Sequence, residues 1–163
     1  MKHVTPIVLA ASLTLSSFSG FNENLRPAEV TARGLITALR QSSEERFVCM
    51  FPKLSEFHAM IDRNEAFYGL NVEAAKEDFT KTYKDELMPA VRRSFANLRT
   101  ESEKRGINWS EVNVDSVNIP EEATGFSSIE ITFSQGNKKF SLLIERSLMI
   151  EGKWKVSQYV RFI

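Results

Sequence analysis

Two side chains with acid–base capability share one face of a predicted helix. His58 and Asp62 are four residues apart, and His58 lies on the same helical face as Leu54 and Ile61 in a segment that begins at Pro52. A histidine beside a carboxylate can act as a general base if both reach the substrate. In the alternative interpretation, His58 is a packing residue that forms a hydrogen bond to a neighbouring element. The pair is the catalytic candidate of this chain.

Two polar side chains interrupt apolar rows on the predicted inner face of a β-sheet. The predicted register places Arg146 opposite Val156, and Gln158 one pair further along. Ser127, on the neighbouring strand, lies on the other side of Arg146. Because a guanidinium offers a fork of donors, Ser127, Arg146 and Gln158 together would bind a carboxylate or another polar head group. Alternatively, Arg146 reaches water at the open end of the sheet or pairs with an acidic residue of a helix.

Two aromatic residues complete the predicted ligand-binding set. Tyr83 and Trp109 each combine an apolar ring with a polar group, which is typical of residues that line pockets. Packing in the hydrophobic core would explain both of them equally well.

The composition excludes several classes of protein. The 163 residues carry 21 Lys+Arg and 21 Asp+Glu, so the net charge is zero and the basic surplus of a nucleic-acid-binding protein is absent. One cysteine cannot form an internal disulfide, and two histidines leave little for a metal site. No phosphate-binding loop, dinucleotide fingerprint or nucleophile elbow is present in the sequence, so we predict no cofactor.

The single cysteine, Cys49, lies in an apolar segment. Val48, Met50 and Phe51 surround it in the sequence, which predicts that the thiol is buried as a small hydrophobic group. Arg46 is the only nearby residue that could favour a reactive thiolate.

Residues 1–19 have the layout of a secretory signal peptide. Lys2 begins a short basic region, an apolar run extends from Val4 to Leu15, and Ser17 and Ser19 occupy the −3 and −1 positions of a cleavage site. The run is too short and too polar for a membrane span. We therefore expect export to the periplasm or the medium, with no membrane span after cleavage, and a single mature domain over residues 20–163.

Helical periodicity dominates the first half of the mature chain. One helix is predicted from Pro27 to about Gln41, and a short one begins at Pro52. The third begins after Asn71, is kinked at Pro89 and ends at Gly106. Its apolar stripe keeps one phase throughout and consists of Ala75, Phe79, Tyr83, Leu87, Val91, Phe95 and Leu98.

Alternating residues dominate the second half and predict four strands. These strands cover residues 109–119, 126–135, 138–149 and 153–163, and a phase change near Asp115 or Ser116 indicates a bulge in the first. Gly136–Asn137 predicts a two-residue hairpin that pairs Phe133 with Phe140. Residues 150–152 predict a three-residue loop that pairs Leu148 with Trp154. The predicted fold class is therefore α+β: two or three N-terminal helices, the last long and kinked, on a curved four-stranded antiparallel sheet.

This order of elements resembles the nuclear-transport-factor-two-like superfamily. The closing hairpin from Met149 to Val156, with Gly152 and Trp154, is similar to the final hairpin of many exported members. The resemblance covers residues 27–163 and implies a small cone in which a curved sheet wraps a long helix. Cystatin-like folds, in which a helix also crosses a meander, are the alternative architecture.

Members of that superfamily range from inert binding modules to isomerases and dehydratases, so the fold alone does not define the chemistry. Because the sequence supplies no convergent acid–base set, we expect an exported, non-catalytic domain that binds a small hydrophobic or anionic ligand or a protein partner. The alternative is an isomerase- or dehydratase-type enzyme that uses His58 with Asp62 and orients its substrate through Arg146. A homodimer that packs through the outer faces of its sheets is a third possibility.

Overall fold

The computed structural model describes residues 25–64, 71–119 and 125–163. The predicted signal peptide, residues 1–19, lies outside these ranges. The first three helices are α1 (Leu25–Arg40), α2 (Glu44–Val48) and α3 (Leu54–Arg63). Helix α1 lies within about two residues of its predicted bounds, and α3 begins two residues after its predicted start at Pro52. Helix α2 was not predicted.

Helix α1 buries a continuous apolar stripe against the sheet. Ala28, Ala32, Leu35 and Leu39 recur every three or four residues and are at most 1% exposed. The C-terminal end of the helix is held by Arg40, whose Nε and Nη2 donate to the carbonyl oxygens of residues 109 and 112 at 3.1 and 2.9 Å. Two backbone acceptors ahead of the first strand thus receive charge-assisted hydrogen bonds.

Helix α2 brings aromatic residues into the core and turns Cys49 outward. Its N-cap is Ser43, whose hydroxyl accepts a hydrogen bond from the Arg46 backbone. The inward face carries Phe47 and leads to Phe51, and both are buried. Cys49 lies just past the end of the helix on the opposite side and is exposed. The predicted burial of its thiol is wrong, because the two phenylalanines occupy the inward face.

The long helix is continuous through Pro89 but irregular ahead of it. Helix α4 (Val72–Thr82) passes into a π-helical segment (Tyr83–Leu87) and then into helix α5 (Met88–Lys104). Proline lacks an N–H and clashes with the preceding turn, and the wider π turn directly before it accommodates both defects. Gly106, with φ of 68°, ends the helix in the left-handed conformation, as predicted.

The sheet is an antiparallel meander, and it confirms the α+β class. Its strands are β1 (Asn113–Asn118), β2 (Phe126–Gln135), β3 (Lys138–Ile150), β4 (Lys153–Val156) and β5 (Val160–Phe162). The order is β1-β2-β3-β4, and β5 also pairs with β3, so β4 and β5 are two parts of the predicted last strand. A 3₁₀ turn (Trp109–Glu111) precedes β1, and β1 has its predicted register shift between Val114 and Ser116.

One predicted hairpin is confirmed and the other is wrong. Phe133 pairs with Phe140 across the Gly136–Asn137 turn, and their rings stack at 5.5 Å. The β3–β4 loop has two residues instead of three, and it pairs Met149 with Trp154. Its central residues, Glu151 and Gly152, have φ values of 49° and 73°, which is the backbone that a tight hairpin turn requires.

A bulge in β3 reverses the alternation of its side chains. Ser127 pairs with Ser147 and Ile129 pairs with Ile144, so β3 has two residues where β2 has one. Ile144 therefore points into the core before the bulge, and Ser147 points into it after the bulge, both at 0% exposure. Arg146, which was predicted to point inward, is exposed instead.

One hydrophobic core joins the sheet to α1, α2 and α5. The inner faces of β2 and β3 contribute Ile129, Ile131, Phe133, Leu142 and Ile144, all 0% exposed. Helix α5 contributes Val91, Phe95 and Leu98 from its predicted stripe. The N-terminal part of that stripe, in α4 and the π segment, is only partly buried because it packs against α3 rather than the sheet.

Candidate functional site

The two residues of the predicted acid–base pair, His58 and Asp62, each contact a different residue of another helix. His58 Nε2 lies 2.9 Å from Thr80 Oγ1, and the Asp62 carboxylate lies 2.6 Å from Lys76 Nζ. Both contacts cross from α3 to α4. The Asp62 and Glu73 carboxylates raise the pKa of Lys76. The hydrogen bond agrees with the alternative interpretation of His58 as a packing residue, and no described contact joins His58 to Asp62 or to Arg146.

Tyr83 is part of the same interface between helices. Its ring packs against Phe57 and Phe79, with centroids 6.1 and 6.4 Å away, and its hydroxyl donates to the Pro52 carbonyl oxygen at 3.2 Å. Burial and the nearby Glu56 carboxylate raise the pKa of the Tyr83 phenol. These contacts support a packing role for Tyr83.

The predicted cluster of Ser127, Arg146 and Gln158 does not assemble. Ser127 is buried and lies opposite Ser147, whereas Arg146 is exposed with its Cζ 5.5 Å from the centroid of the Phe126 ring. Gln158 is exposed between β4 and β5 and lines a small depression beside Tyr159. The bulge in β3 and the break after β4 separate the three side chains, and both were absent from the predicted register.

Trp109 packs on the edge of the core. Its ring centroid lies 5.2 Å from that of Phe133, and its indole N–H is buried without an acceptor among the described residues. The side chain lines a depression of about 230 Å³ together with Arg99 and Ser110. None of the other predicted ligand-binding residues lines this depression.

Replacement of Arg146 by alanine is expected to change the unfolding free energy by less than about 1 kcal/mol, the usual contribution of an exposed cation–π contact. The side chain is exposed and packs only over the Phe126 ring among the contacts described. Urea denaturation followed by tryptophan fluorescence measures the change. A loss above about 2 kcal/mol would mean that Arg146 is a buried structural ion-pair partner, which contradicts its observed position.

The structure contains an apolar groove that the sequence did not predict, which we call the Gly34 groove. It has a volume of about 420 Å³ and lies where α1, the end of α2 and the β4 hairpin meet. Its apolar surface comes from Pro27, Val30 and Gly34 of α1, Cys49 and Met50 after α2, and Trp154 of β4. The volume falls in the usual range of small-molecule sites.

Gly34 opens this groove at a cost to the helix. A glycine inside a helix destabilises it by about 0.5–1 kcal/mol relative to alanine. No close approach requires a glycine here, because a Cβ atom at Gly34 would meet only Met50 Cε, at the ordinary contact distance of 3.9 Å. Longer side chains at this position would fill the groove. The mid-helix glycine was the one signal in the sequence that pointed to this surface.

Three cationic side chains line part of the groove. Arg26, Lys153 and Lys155 line it together with the apolar residues. Lys155 Nζ lies 3.5 Å from the Glu56 carboxylate, so its charge is compensated. Arg26 and Lys153 are exposed, and neither pairs with a carboxylate of the described residues. The groove therefore combines an apolar floor with two cations that no carboxylate of the described residues compensates.

The polar backbone at the groove wall is already satisfied. Thr31 Oγ1 donates to the Trp154 carbonyl oxygen at 2.9 Å, and the Val156 N–H donates to the Met50 carbonyl oxygen at 2.9 Å. These hydrogen bonds attach α1 and α2 to β4 and hold the walls together. A ligand would thus meet apolar side chains on the floor and charge only at the rim.

Three further observations concern metal binding, membrane spans and similarity to known proteins. Within residues 25–64, 71–119 and 125–163, no group of three or more His, Cys, Asp or Glu residues could hold a metal ion. None of the helices in these ranges combines the length and the apolar character that a bilayer crossing requires. Comparisons of the chain with protein-family models, with curated proteins and with solved structures find no match.

Proposed function

We propose that this chain is an exported, non-catalytic binding domain for a single-chain amphiphile with an anionic head, such as a medium-chain fatty acid. The alkyl chain would lie over Gly34 and Met50, and the carboxylate would lie between Arg26 and Lys153. The observation that carries the proposal is the Gly34 groove itself, a groove of about 420 Å³ that combines an apolar floor with two cations, Arg26 and Lys153, that no carboxylate of the described residues compensates.

The shape and chemistry of the groove favour an alkyl chain. Each methylene group removed from water contributes about 0.8 kcal/mol, so a chain of modest length can supply a measurable affinity. The helical Gly34 keeps the floor flat, and the flexible thioether of Met50 can adapt to chains of different length. Val30 is 70% exposed and would lose part of that exposure on binding.

The absence of an assembled acid–base pair supports a binding role rather than catalysis. His58 and Asp62 contact Thr80 and Lys76 respectively, and both contacts serve the packing of α3 on α4. Among the described residues, no histidine, aspartate or glutamate lines the Gly34 groove. A molecule in this groove would therefore lie beside cationic side chains and Cys49 rather than beside a histidine or carboxylate base.

The proposal of export rests on the pattern of residues 1–19. The order of helices followed by an antiparallel meander supports placing the domain in the nuclear-transport-factor-two-like superfamily, as the sequence suggested. In that framework the chain belongs among the inert binding modules. The groove proposed here lies on the α1–β4 side of the domain.

The test is binding of octanoate, decanoate and laurate to the purified protein by isothermal titration calorimetry. We expect the affinity to rise by up to about fourfold per added methylene group, the equivalent of about 0.8 kcal/mol, until the groove is full. Dodecanol, which has no charge, should bind more weakly than laurate at low salt, and added salt should reduce this difference. Absence of laurate binding would contradict the proposal.

Two variants of Gly34 locate the site. Gly34→Leu should weaken laurate binding at least about tenfold, or 1.4 kcal/mol, because its side chain occupies the floor. Gly34→Ala is the matched control, since its methyl group meets only Met50 at an ordinary distance. It should raise the unfolding free energy by about 0.5–1 kcal/mol and weaken binding much less. Equal laurate affinity in the wild type and in Gly34→Leu would show that the ligand binds elsewhere.

A further inference from the structure

The two halves of the outer sheet edge differ in how they are covered. Along β4, the outward backbone groups of Val156 and Trp154 are bonded to the Met50 carbonyl and to the Thr31 hydroxyl. Among the residues that the structure describes, none forms such a hydrogen bond to the outward edge of β5. Exposed strand edges are templates for pairing with another chain. Because the edge of β4 is covered, the uncovered edge of β5 needs an explanation.

The hydrogen bonds of β5 show which of its backbone groups point outward. Glu145 N–H donates to the Tyr159 carbonyl oxygen at 3.0 Å, and Ile163 N–H donates to the Ser141 carbonyl oxygen at 3.1 Å. In an antiparallel pair the bonded residues alternate, so the N–H and C=O groups of Val160 and Phe162 point away from β3. No hydrogen bond among the described residues satisfies them.

A groove runs along this edge, with α5 as its opposite wall, and we call it the α5–β5 groove. Its larger part measures about 660 Å³ and is lined by residues 159–162 of the chain and by α5 residues that include Leu98. A smaller part of about 180 Å³ continues it past Gln158 and shares Ala90, Ser94 and Tyr159 with the larger part. Tyr159 and Ile163 frame β5 with exposures of 65% and 51%.

The charges around the α5–β5 groove favour an acidic occupant. Two carboxylates line it, Glu101 and Glu145, and each is paired with an arginine of the same region, Arg105 and Arg161. Two cations also line it, and neither pairs with a carboxylate of the described residues. These cations are Arg93 and Lys104. The surface that faces an incoming segment is therefore positive.

We propose that the α5–β5 groove binds an extended, acidic peptide segment of a partner protein, which adds as a strand to β5. The backbone of the segment would pair with Val160 and Phe162, its apolar side chains would pack against α5, and its acidic side chains would face Arg93 and Lys104. This interaction surface lies apart from the Gly34 groove, and it does not depend on the amphiphile proposed for that site.

The test uses an acetylated octapeptide of alternating valine and glutamate with a fluorescent label. Fluorescence anisotropy with the purified protein should show saturable binding, and the lysine analogue of the same length should bind at least tenfold more weakly. Two N-methylated forms, with the methyl groups on the valine or on the glutamate amides, separate strand addition from charge attraction. Only one of the two should lose binding, because alternate amides of an added strand face β5.

Substitutions in the protein test the same surface independently of changes in the peptide. The double variant Arg93→Glu, Lys104→Glu changes exposed side chains only and should weaken binding of the acidic peptide at least tenfold. Val160→Pro removes an outward N–H and leaves the hydrogen bonds to β3, whereas Arg161→Pro removes one that faces β3. The first should abolish peptide binding while the sheet stays folded, as circular dichroism would show, although it costs some stability because Val160 is 4% exposed and belongs to the core. The second should destabilise the sheet itself.

Three results would overturn the proposal. One is no saturable binding of the valine–glutamate peptide, and another is equal binding of both N-methylated forms. The third is a concentration-dependent dimer in analytical ultracentrifugation that Val160→Pro abolishes, because the edge would then pair with a second copy of this chain. Retained binding by the Arg93→Glu, Lys104→Glu variant would also contradict the charge argument.

Discussion

Replacement of Phe47 by alanine is expected to lower the unfolding free energy by about 3–5 kcal/mol. The ring is 0% exposed, and its centroid lies 5.4 Å from that of Phe51 and 5.2 Å from that of Phe95. Helix α2 has only five residues and cannot be stable alone, so its position depends on this packing. Loss of the ring would leave a cavity between α2 and α5 that the long helix cannot close without moving.

Urea denaturation of the two proteins measures the difference, with tryptophan fluorescence as the signal. Phe126→Ala is the matched control, because that ring is 47% exposed and its loss should cost less than about 1 kcal/mol. Similar losses for the two variants would show that α2 does not belong to the core. Refolding yield must be compared as well, since a loss of this size approaches the total stability of many small domains.

Helix α2 was not predicted because five residues are too few to show a helical repeat of apolar positions. The segment from Ser43 to Phe51 carries a local signal all the same, since Ser43 can cap a helix and Glu44 and Glu45 follow it at the positive end of the helix dipole. In the structure, Phe47 and Phe51 of this segment point into the core and are buried. Cys49 was then left on the outside.

The elements that were predicted with correct bounds are those whose signals are local. Strand β2 and its hairpin follow from strict alternation and from one tight turn at Gly136–Asn137, so the register has a single solution. The long helix follows from one apolar stripe and from end signals at Asn71 and Gly106. For the β2 hairpin and the long helix, tertiary packing agrees with these local sequence preferences.

The predicted binding cluster failed because the bulge in β3 was missed, and the loop whose pairing could have revealed it is of ambiguous length. Residues 150–152 suit a three-residue loop as well as a two-residue one, and the two choices differ by one position along β3. The segment from Arg146 to Met149 mixes polar and apolar residues on both faces, so alternation could not resolve the choice. One slipped residue is enough to reverse every side chain beyond it.

The two grooves could not be predicted for a different reason. Each lies between elements that are distant in sequence, α1 and β4 in one case and α5 and β5 in the other. Their shapes depend on how far the helices stand from the sheet edge, which local propensity does not specify. The sequence shows Gly34 as a glycine in the middle of a helix, but only the position of Met50 in the structure shows that this glycine borders a groove.

The bulge in β3 leads to the second large prediction, which concerns Ser147. Ser147→Asp is expected to cost more than about 3 kcal/mol at neutral pH, because the side chain is 0% exposed and its hydroxyl has no hydrogen-bond partner among the described residues. Arg146→Asp, one residue earlier, should cost less than about 1 kcal/mol, since that side chain is exposed.

The order of these two effects discriminates between the two registers of the sheet. If β3 alternated without the bulge, residue 146 would point inward and residue 147 outward, and Arg146→Asp would then be the damaging change. Burial raises the pKa of a carboxyl group, so the penalty of Ser147→Asp should shrink as the pH falls toward about 4 and the group becomes neutral. Urea denaturation of both variants at neutral and acidic pH measures this dependence. A penalty at position 147 that is small at every pH would contradict the bulge and restore the possibility that Arg146 faces the interior.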